Sequence, residues 1–390
     1  MLEKHLLKNI RIKVLPTGGW TNTLTMAYDI LSSNLLLKGT RLAIVLDRDV
    51  KDAVPNFMST HKECKGLKID YLPISSLEKY LRANLYTTVD SDFLSLLDTY
   101  LFQKRPLAEI LRLYKKENKN KIEHHILKGK TLGMIFQKSS TRTRVSFETG
   151  IYQLGGQALF LSSNDLQIGR GEPVQDTARV LSRYLDGIMI RTFEQKEVED
   201  FAKYGSIPII NGLTDFSHPC QVLADLMTIH EFKGKFEGLK MCFIGCGNNM
   251  ANSLIVGGLK VGMNVSIACP KDYNPDEKVI DFTKKYKDKF IITENIMEAA
   301  KDSDILFTDV WASMGEEKEA EKRRIIFKGY QINDEVMAIA KPDAMVQHCL
   351  PAHREEEIST KVFEEHANEI FEEAENRLHV QKAVMVKLMG

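Results

Sequence analysis

Hydroxyl and guanidinium side chains alternate in a segment that could bind an oxyanion. Residues 138–144 read Lys-Ser-Ser-Thr-Arg-Thr-Arg, after an apolar run typical of a strand and before a helical pattern. The N–H groups of a helix's first turn are unpaired, and the helix dipole favours an anion there. Arginine adds charge-assisted hydrogen bonds to phosphate oxygens. The segment therefore predicts a phosphate site, and the alternative is a helix cap followed by two solvated arginines.

A second polar segment also lies between an apolar run and a helical pattern. Residues 215–221 read Asp-Phe-Ser-His-Pro-Cys-Gln, and Pro219 suits the first position of a helix. His218 and Gln221 would then lie near the same helix start, where an imidazole could donate to a carbonyl oxygen. Alone this indication is weak, because a histidine before a proline is often a turn residue. No second His or Cys follows at a zinc-ligand spacing, so we predict no metal site.

A glycine turn at residues 244–250 lies where a dinucleotide fingerprint would be expected. The segment reads Ile-Gly-Cys-Gly-Asn-Asn-Met. The third glycine of the fingerprint would fall at Met250, so we exclude a nicotinamide-dependent dehydrogenase. The amide side chains of Asn248 and Asn249 instead suit a small polar ligand.

Two further residues could bind a small substrate, and a third polar residue lies in the C-terminal tail. Asp309 follows an apolar strand pattern, where open α/β sheets bind ligands, so it could hold an ammonium group or merely cap a helix. Cys349 also follows a strand pattern and is either a core thiol or a polar group beside a reacting atom. Arg377 lies in the Glu- and Lys-rich tail and by itself looks like a surface arginine.

Short apolar runs and longer amphipathic stretches alternate along the chain. This alternation is typical of parallel sheets with helices on both faces. The runs that predict strands are Leu132–Phe136, Gly187–Arg191, Ile207–Ile210, Met241–Ile244, Val265–Ala268 and Ile305–Thr308. We predict an N-terminal α/β segment at 1–90, domains at 91–235 and 236–355, and C-terminal helices at 356–390 that pack back on the first of these domains.

The composition bounds the class of protein. The 390 residues carry 53 Lys+Arg and 53 Asp+Glu, so the balanced charge gives no indication of a nucleic-acid or membrane partner. No apolar run reaches the roughly 20 residues that span a bilayer, and the N-terminus lacks a signal-peptide pattern. The six scattered cysteines are typical of free thiols in a reducing compartment. We therefore expect a cytoplasmic protein.

Taken together, four motifs resemble those of the ornithine carbamoyltransferase family. They are Ser-Thr-Arg-Thr-Arg at 140–144, His-Pro-Cys-Gln at 218–221, Asp-Val-Trp-Ala-Ser-Met-Gly at 309–315 and His-Cys-Leu-Pro-Ala at 348–352. They stand in the family's order, and the resemblance runs from about residue 91 to residue 389. It implies two doubly wound parallel-sheet α/β domains, a homotrimer, and transfer of a carbamoyl group from carbamoyl phosphate to the side-chain amine of L-ornithine. It implies neither a metal nor another cofactor.

The resemblance also implies roles for individual residues. Those expected to bind carbamoyl phosphate are Ser140, Thr141, Arg142, Thr143, Gln167, Arg191, His218, Gln221, Cys349, Leu350 and Arg377. Gln167 resembles the residue that family members extend into a neighbouring subunit's site. Those expected to grip the amino-acid end of ornithine are Asn249, Asp309, Ser313 and Met314. The expected catalytic residues are Arg142, His218 and Cys349.

The first 90 residues or so depart from this family. Residues 41–49 read Arg-Leu-Ala-Ile-Val-Leu-Asp-Arg-Asp, so a strand pattern ends in Asp47 and Asp49, a pair that could bind magnesium. Together with segments at 15–20 and 72–81, it resembles part of the toprim domain of certain nucleases. That family's opening strand and its acidic residue would precede the first residue. We therefore hypothesise a truncated appendage without nuclease activity, and the alternative is a pair of ordinary strand-end aspartates.

Overall fold

The computed structural model divides the protein into two compact units, Met1–Thr88 and Val89–Gly390. It describes residues 43–46, 68–71, 115–116, 118–120, 124–312 and 319–390. In the first unit, strand β1 (Ala43–Leu46) pairs in parallel with strand β2 (Lys68–Tyr71). The domain boundaries near residues 90, 235 and 355 stay predictions.

The first sheet of the second unit has four parallel strands in the order β4-β3-β5-β6. Its strands are β3 (Thr131–Phe136), β4 (Gln157–Ser162), β5 (Gly187–Arg191) and β6 (Ile209–Leu213). The helices that follow them are α1 (Thr141–Gln153), α2 (Val174–Leu181), α3 (Gln195–Tyr204) and α4 (Pro219–Lys233). Strands that are buried on both faces have nearly continuous apolar sequences, as β3 and β5 do.

The second sheet has five parallel strands in the order β11-β10-β7-β8-β9. Its strands are β7 (Lys240–Ile244), β8 (Asn264–Ala268), β9 (Phe290–Thr293), β10 (Ile305–Thr308) and β11 (Met345–His348). Its helices are α5 (Asn249–Lys260), α6 (Glu277–Thr283), α7 (Ile296–Ala300), α8 (Ala320–Ile326), α9 (Asp334–Ile339) and α10 (Thr360–Glu365). Asparagine or aspartate side chains cap α5, α6, α7 and α9, which explains where these helices begin. The predicted pair of parallel-sheet α/β domains is therefore confirmed.

Helix α11 (Ala367–Met389) packs against both α1 and α4 of the first sheet. This packing buries a polar stripe, whose members are Glu373, Asn376, Arg377, His379, Gln381 and Lys382. Because α11 also contacts β11, it joins the helices of one sheet to the edge of the other. No helix in the described part of the chain is long and apolar enough to cross a membrane.

Both sheets reverse their direction of winding at one point. The reversal lies between β3 and β5 in the first sheet and between β7 and β10 in the second. The loops that leave two such strands diverge and open a crevice, where open α/β proteins bind ligands. The segments that end or follow these four strands carry most of the predicted site residues, so the topology positions the site.

Candidate active site

Helix α1 begins at the predicted phosphate segment. The Ser140 hydroxyl caps it and accepts the backbone N–H of Thr143 at 3.2 Å. Thr143 is buried, and its hydroxyl oxygen accepts a hydrogen bond from Arg377 at 2.8 Å. The interpretation of Arg377 as a surface arginine is wrong: it is 4% exposed, because the polar stripe of α11 packs onto α1 and α4.

Three guanidinium groups meet near this helix start, on Arg142, Arg191 and Arg377. Their Nε atoms are buried and have no hydrogen-bond partner among the described residues. Burial, together with repulsion from the other two arginines, lowers the pKa of Arg191 to about 9. Burial also lowers the pKa of Arg377. Three guanidinium charges held close together repel one another, so the cluster suits an oxyanion that would neutralise it.

His218 and Gln221 lie at the start of α4, beside this cluster. Burial and the three nearby arginines lower the pKa of His218 well below its ordinary value, so its imidazole is neutral near pH 7. Gln221 donates its two amide hydrogens to Asp225 at 2.7 Å and Glu373 at 2.8 Å. Its oxygen accepts from Arg377 at 3.0 Å. The remaining lone pair of that oxygen suits an N–H donor, so Gln221 is fitted to an amide NH2 and not to a carbonyl oxygen.

Helix α5 of the second sheet holds the loop that precedes α4. The backbone N–H of His218 donates to the Ser253 hydroxyl at 2.8 Å, and Asn249 donates to the carbonyl of Thr214 at 2.7 Å. In the glycine turn before α5, a Cβ on Gly247 would lie 2.2 Å from a backbone nitrogen in the loop after β8, so only glycine fits there. The turn therefore fixes the start of α5, and α5 fixes the His218 loop.

Asp309 and Cys349 form the other half of the site, at the carboxyl ends of β10 and β11. The Cys349 thiol donates to the Asp309 carboxylate at 3.1 Å, and Asn248 donates to its second oxygen at 2.9 Å. Burial and the neighbouring carboxylate raise the pKa of Cys349 well above its ordinary value. Because the thiolate is the nucleophilic form of cysteine, this protonated thiol suits polar contact and not covalent catalysis.

Leu350 connects the two halves of the site. Arg142, from the first sheet, donates to the Leu350 carbonyl oxygen at 2.6 Å. Leu350 has a φ of 56°, which a branched side chain adopts only where the surroundings hold it. Its N–H donates to Nδ1 of His348 at 2.9 Å, and Nε2 of His348 contacts Glu357 at 3.1 Å. This network directs the carbonyl of Leu350 towards the arginine cluster.

The donor atoms of Asp309, His348 and Cys349 lie within 4.8 Å of one another, a spacing at which they could ligate one metal ion. Both ring nitrogens of His348 already have partners, and the Cys349 thiol already donates to Asp309. A metal would need a free imidazole nitrogen and a thiolate. These residues therefore do not fit a resident metal.

Some predicted residues do not join this cluster. Thr141 is exposed on α1, and Gln167 is exposed in the 3-10 helix Gln167–Arg170. Those outside the described residues are Ser313, Met314, Asp47 and Asp49. Sequence reasoning missed Asp225 and Glu373, which contact the site through Gln221. Their position one helical turn from a predicted residue was the available signal.

Inorganic phosphate is expected to raise the melting temperature of the full-length protein, because it would neutralise the three arginines. At a hundred times its Kd it would add about 2.7 kcal/mol of stability, which corresponds to a shift of a few degrees. Calorimetry with phosphate, against chloride at matched ionic strength, measures the shift. Arg142→Ala should lose most of it, and an undiminished shift would place the anion elsewhere.

Two family models match the part of the chain that forms this site. The carbamoyl-P binding domain of aspartate/ornithine carbamoyltransferase matches residues 92–231. The Asp/Orn binding domain of the same family matches residues 237–388. Together these matches cover both sheets and α11.

Relatives and solved structures agree with the family models. The ornithine carbamoyltransferase of Thermococcus kodakarensis is 54% identical over 287 residues, which are 73% of this chain and 90% of the relative. The anabolic ornithine carbamoyltransferase of Pyrococcus furiosus is 50% identical, over 77% of this chain and 96% of its own length. The solved structure of the Pyrococcus furiosus ornithine carbamoyltransferase matches with a TM-score of 0.71 at 50% identity, over 76% of this chain and 96% of that one.

Proposed function

The chain belongs to the aspartate/ornithine carbamoyltransferase family, and we propose that it transfers the carbamoyl group of carbamoyl phosphate to L-ornithine. The products are L-citrulline and phosphate, in arginine metabolism. One observation carries this assignment: the contact between Arg142 and the Leu350 carbonyl joins a cationic, oxyanion-binding cluster to the Asp309–Cys349 pair. The identity above 50% with proteins of this name supports it.

Carbamoyl phosphate would bind with its phosphate at the start of α1. The hydroxyls and first-turn N–H groups of the 140–143 segment would donate to the phosphate oxygens, together with Arg142 and Arg377. The carbamoyl NH2 would donate to the Gln221 oxygen. The carbonyl oxygen would accept from Arg191 and from neutral His218, which can donate without adding a charge to the cluster.

Ornithine would bind from the second sheet. Asp309 would hold its α-ammonium group, and the other expected contacts are Asn249, Ser313 and Met314. Cys349 and Leu350 would then line the place where the side-chain amine meets the carbamoyl carbon. The amine must lose its proton before attack. We therefore expect the rate to rise with pH as the neutral amine accumulates.

The reaction needs no covalent intermediate on the protein. The amine nitrogen bonds to the carbamoyl carbon, which becomes tetrahedral with a negative oxygen. Arg191, His218 and Thr143 are suited to stabilise that oxygen. The bond to the phosphate oxygen then breaks, phosphate leaves towards the arginines, and the amine proton leaves with it or to solvent. Positioning of two substrates in one cleft supplies much of the remaining acceleration.

A sister carbamoyltransferase that uses another acceptor is the rival assignment. Ornithine, putrescine, N-acetylornithine and aspartate should be compared as acceptors with purified full-length protein, and each carbamoylated product should be quantified. We expect ornithine to be preferred by about a hundredfold or more in kcat/KM. N-acetylornithine and aspartate lack a second free ammonium to pair with Asp309, and putrescine lacks the carboxylate that the other ornithine contacts would bind. Equal or better use of another acceptor would reject ornithine as the substrate.

We also propose a homotrimer, and the exposed apolar side chains on the first sheet and its helix α1 support this proposal. Strand β4 lies at the edge of that sheet, and its Leu159 and Phe160 are exposed at 38% and 40%. Val145 and Tyr152 of the adjoining α1 are exposed at 55% and 80%. Exposed patches of apolar side chains often mark subunit interfaces. In a trimer, exposed Gln167 could reach a neighbouring site.

Phe160→Asp is expected to dissociate the trimer, because it places a charge in the proposed interface. Light scattering should give three times the 44.4 kDa chain mass for the unchanged protein and a smaller mass for the variant. Activity should fall with dissociation. Ile325→Asp is the matched control, since Ile325 is exposed on the second sheet's helix α8. An unchanged mass for Phe160→Asp would remove β4 from the interface.

For residues 1–90 we retain the hypothesis of a toprim-like appendage without nuclease activity. The family models begin at residue 92, and β1 ends directly before Asp47. The full-length protein is expected to leave plasmid DNA intact in the presence of Mg²⁺. Magnesium-dependent cleavage that is lost in Asp47→Asn would contradict the hypothesis.

We propose a cytoplasmic location and a role in arginine biosynthesis. Five cysteines among the described residues are free thiols, as a reducing compartment keeps them. The Pyrococcus furiosus relative is named an anabolic enzyme. Cell fractionation tests the location, and arginine auxotrophy of a deletion strain tests the pathway.

A further inference from the structure

A carboxyl pair lies directly behind the residues that would bind carbamoyl phosphate. Asp225 of α4 and Glu373 of α11 are 0% and 1% exposed. Both accept a hydrogen bond from one nitrogen, Nε2 of Gln221, at 2.7 and 2.8 Å. The two accepting oxygens are therefore neighbours. Two ionised carboxylates in such a site would repel each other, so one of them is expected to hold a proton.

Glu373 also supports the loop that carries Cys349. Its second oxygen accepts the backbone N–H of His348 at 3.1 Å. One turn earlier on α11, Glu369 accepts the N–H of Val346 at 3.1 Å. Because β11 is an edge strand, these N–H groups would otherwise lack a partner. Glu373 therefore links the Cys349 loop to the amide of Gln221.

The hydrogen bonds indicate which oxygen carries the proton. Both oxygens of Glu373 and Oδ1 of Asp225 accept hydrogen bonds from the protein. The remaining oxygen, Oδ2 of Asp225, is buried and accepts none from the described residues. A hydroxyl at Oδ2 could donate to Glu373, whereas an ionised oxygen there would be left unsolvated.

We propose that Asp225 and Glu373 share one proton carried on Asp225, and that ionised Glu373 is a positioning residue for the carbamoyl NH2. Together the two acids bind both hydrogens of the Gln221 amide and so present its oxygen to Arg377 and to the substrate NH2. Neither acid touches substrate. The inference rests on the proposed function and adds to it the groups that orient Gln221.

The surroundings of the pair set its pH dependence. The charged and titratable groups that face it are Arg377 of α11, Asp309 after β10 and the Cys349 thiol. Burial, and then the proximity of the two acids to each other, raise the pKa at which the pair loses its shared proton. An acid with a raised pKa favours the folded protein at low pH, and this stabilisation is lost as pH rises through the folded pKa. Loss of the shared proton would also leave two adjacent carboxylates at the Gln221 amide, so we expect carbamoyl phosphate affinity to fall on the alkaline side.

The two acids should respond differently to amide substitution. Asp225→Asn keeps an acceptor for Gln221 and offers an N–H donor to Glu373, so it imitates the protonated acid. We expect its kcat and KM to stay within about threefold of the unchanged enzyme, with a weaker alkaline loss of affinity. Glu373→Gln must turn its NH2 towards either Gln221 or the N–H of His348. We expect its kcat/KM for carbamoyl phosphate to fall by about tenfold or more.

Thr228→Val is the control for damage to the same helix interface. Thr228 of α4 accepts a hydrogen bond from Asn376 of α11 at 2.9 Å. Its loss should lower stability and leave both KM values and the pH profile unchanged. The proposal is overturned if Glu373→Gln behaves like this control, or if Asp225→Asn is the more impaired of the two acid variants.

Infrared difference spectroscopy tests the shared proton without turnover. The spectrum of the unchanged protein minus that of Asp225→Asn near neutral pH should contain the C=O band of a protonated carboxyl group. Absence of this band overturns the shared proton even if citrulline is formed. A protein that shows the band but forms no citrulline would instead reject the proposed function and leave the carboxyl pair in place.

Discussion

Arg142→Ala should lower kcat/KM for carbamoyl phosphate by about a thousandfold or more. The substitution removes a guanidinium that would bind the phosphate, and with it the hydrogen bond to the Leu350 carbonyl at 2.6 Å that joins the two halves of the site. Both losses act on the transition state, where charge passes to the leaving phosphate. Steady-state kinetics with ornithine at saturation measures the effect.

Arg179→Ala is the matched control for Arg142. Arg179 belongs to the same domain, is exposed, and pairs with Asp176 at 3.1 Å on the surface of α2. Its removal should leave both kinetic constants close to those of the unchanged enzyme, because exposed ion pairs contribute little. If the two alanine variants have similar activity, Arg142 has no part in the reaction.

Asp309→Asn should raise KM for ornithine by about a hundredfold. The carboxylate would pair with the substrate's α-ammonium, and it accepts hydrogen bonds from Cys349 and Asn248. The amide keeps the shape but loses the charge, and one of its two polar atoms becomes a donor where an acceptor is needed. The affinity for carbamoyl phosphate should change little, since Asp309 is not among the residues expected to bind that substrate.

Asp272→Asn tests whether any loss of negative charge on this domain would have the same effect. Asp272 is exposed in the 3-10 helix Lys271–Tyr273. Its variant should bind ornithine normally. A normal ornithine KM in Asp309→Asn would show that this carboxylate does not recognise the substrate.

The central strands were readily predicted from the sequence, and two of the edge strands, β4 and β9, were not. Gly187–Arg191 and Ile305–Thr308 form strands as predicted, because strands covered on both faces are continuous apolar runs. The strand predicted at Ile207–Ile210 instead begins at Ile209, after a proline that has no N–H to pair. Both missed strands lie at a sheet edge, and neither contains a fully buried residue, so neither shows the alternation of buried and exposed positions that predicts a strand.

The site was predictable where its residues lie in compact motifs. The 140–144 and 218–221 motifs each combine a helix start with several polar groups, so they indicated a ligand before any family was considered. The contribution of α11 was not predictable in this way. A Glu- and Lys-rich helix is typical of a solvated surface, yet α11 buries Glu373 and Arg377 against α4. Only the partner helix, which carries Gln221 and Asp225, makes that burial favourable.

The most direct test of carbamoyl transfer to ornithine is a product balance with purified full-length protein. Carbamoyl phosphate and ornithine would be incubated in the presence of a metal chelator, and citrulline and phosphate would be quantified in the same sample. We predict equal amounts of citrulline and phosphate, formed at a rate proportional to enzyme and lost in Arg142→Ala. Phosphate release without citrulline, or citrulline formation that Arg142→Ala leaves unchanged, would contradict carbamoyl transfer to ornithine at this site.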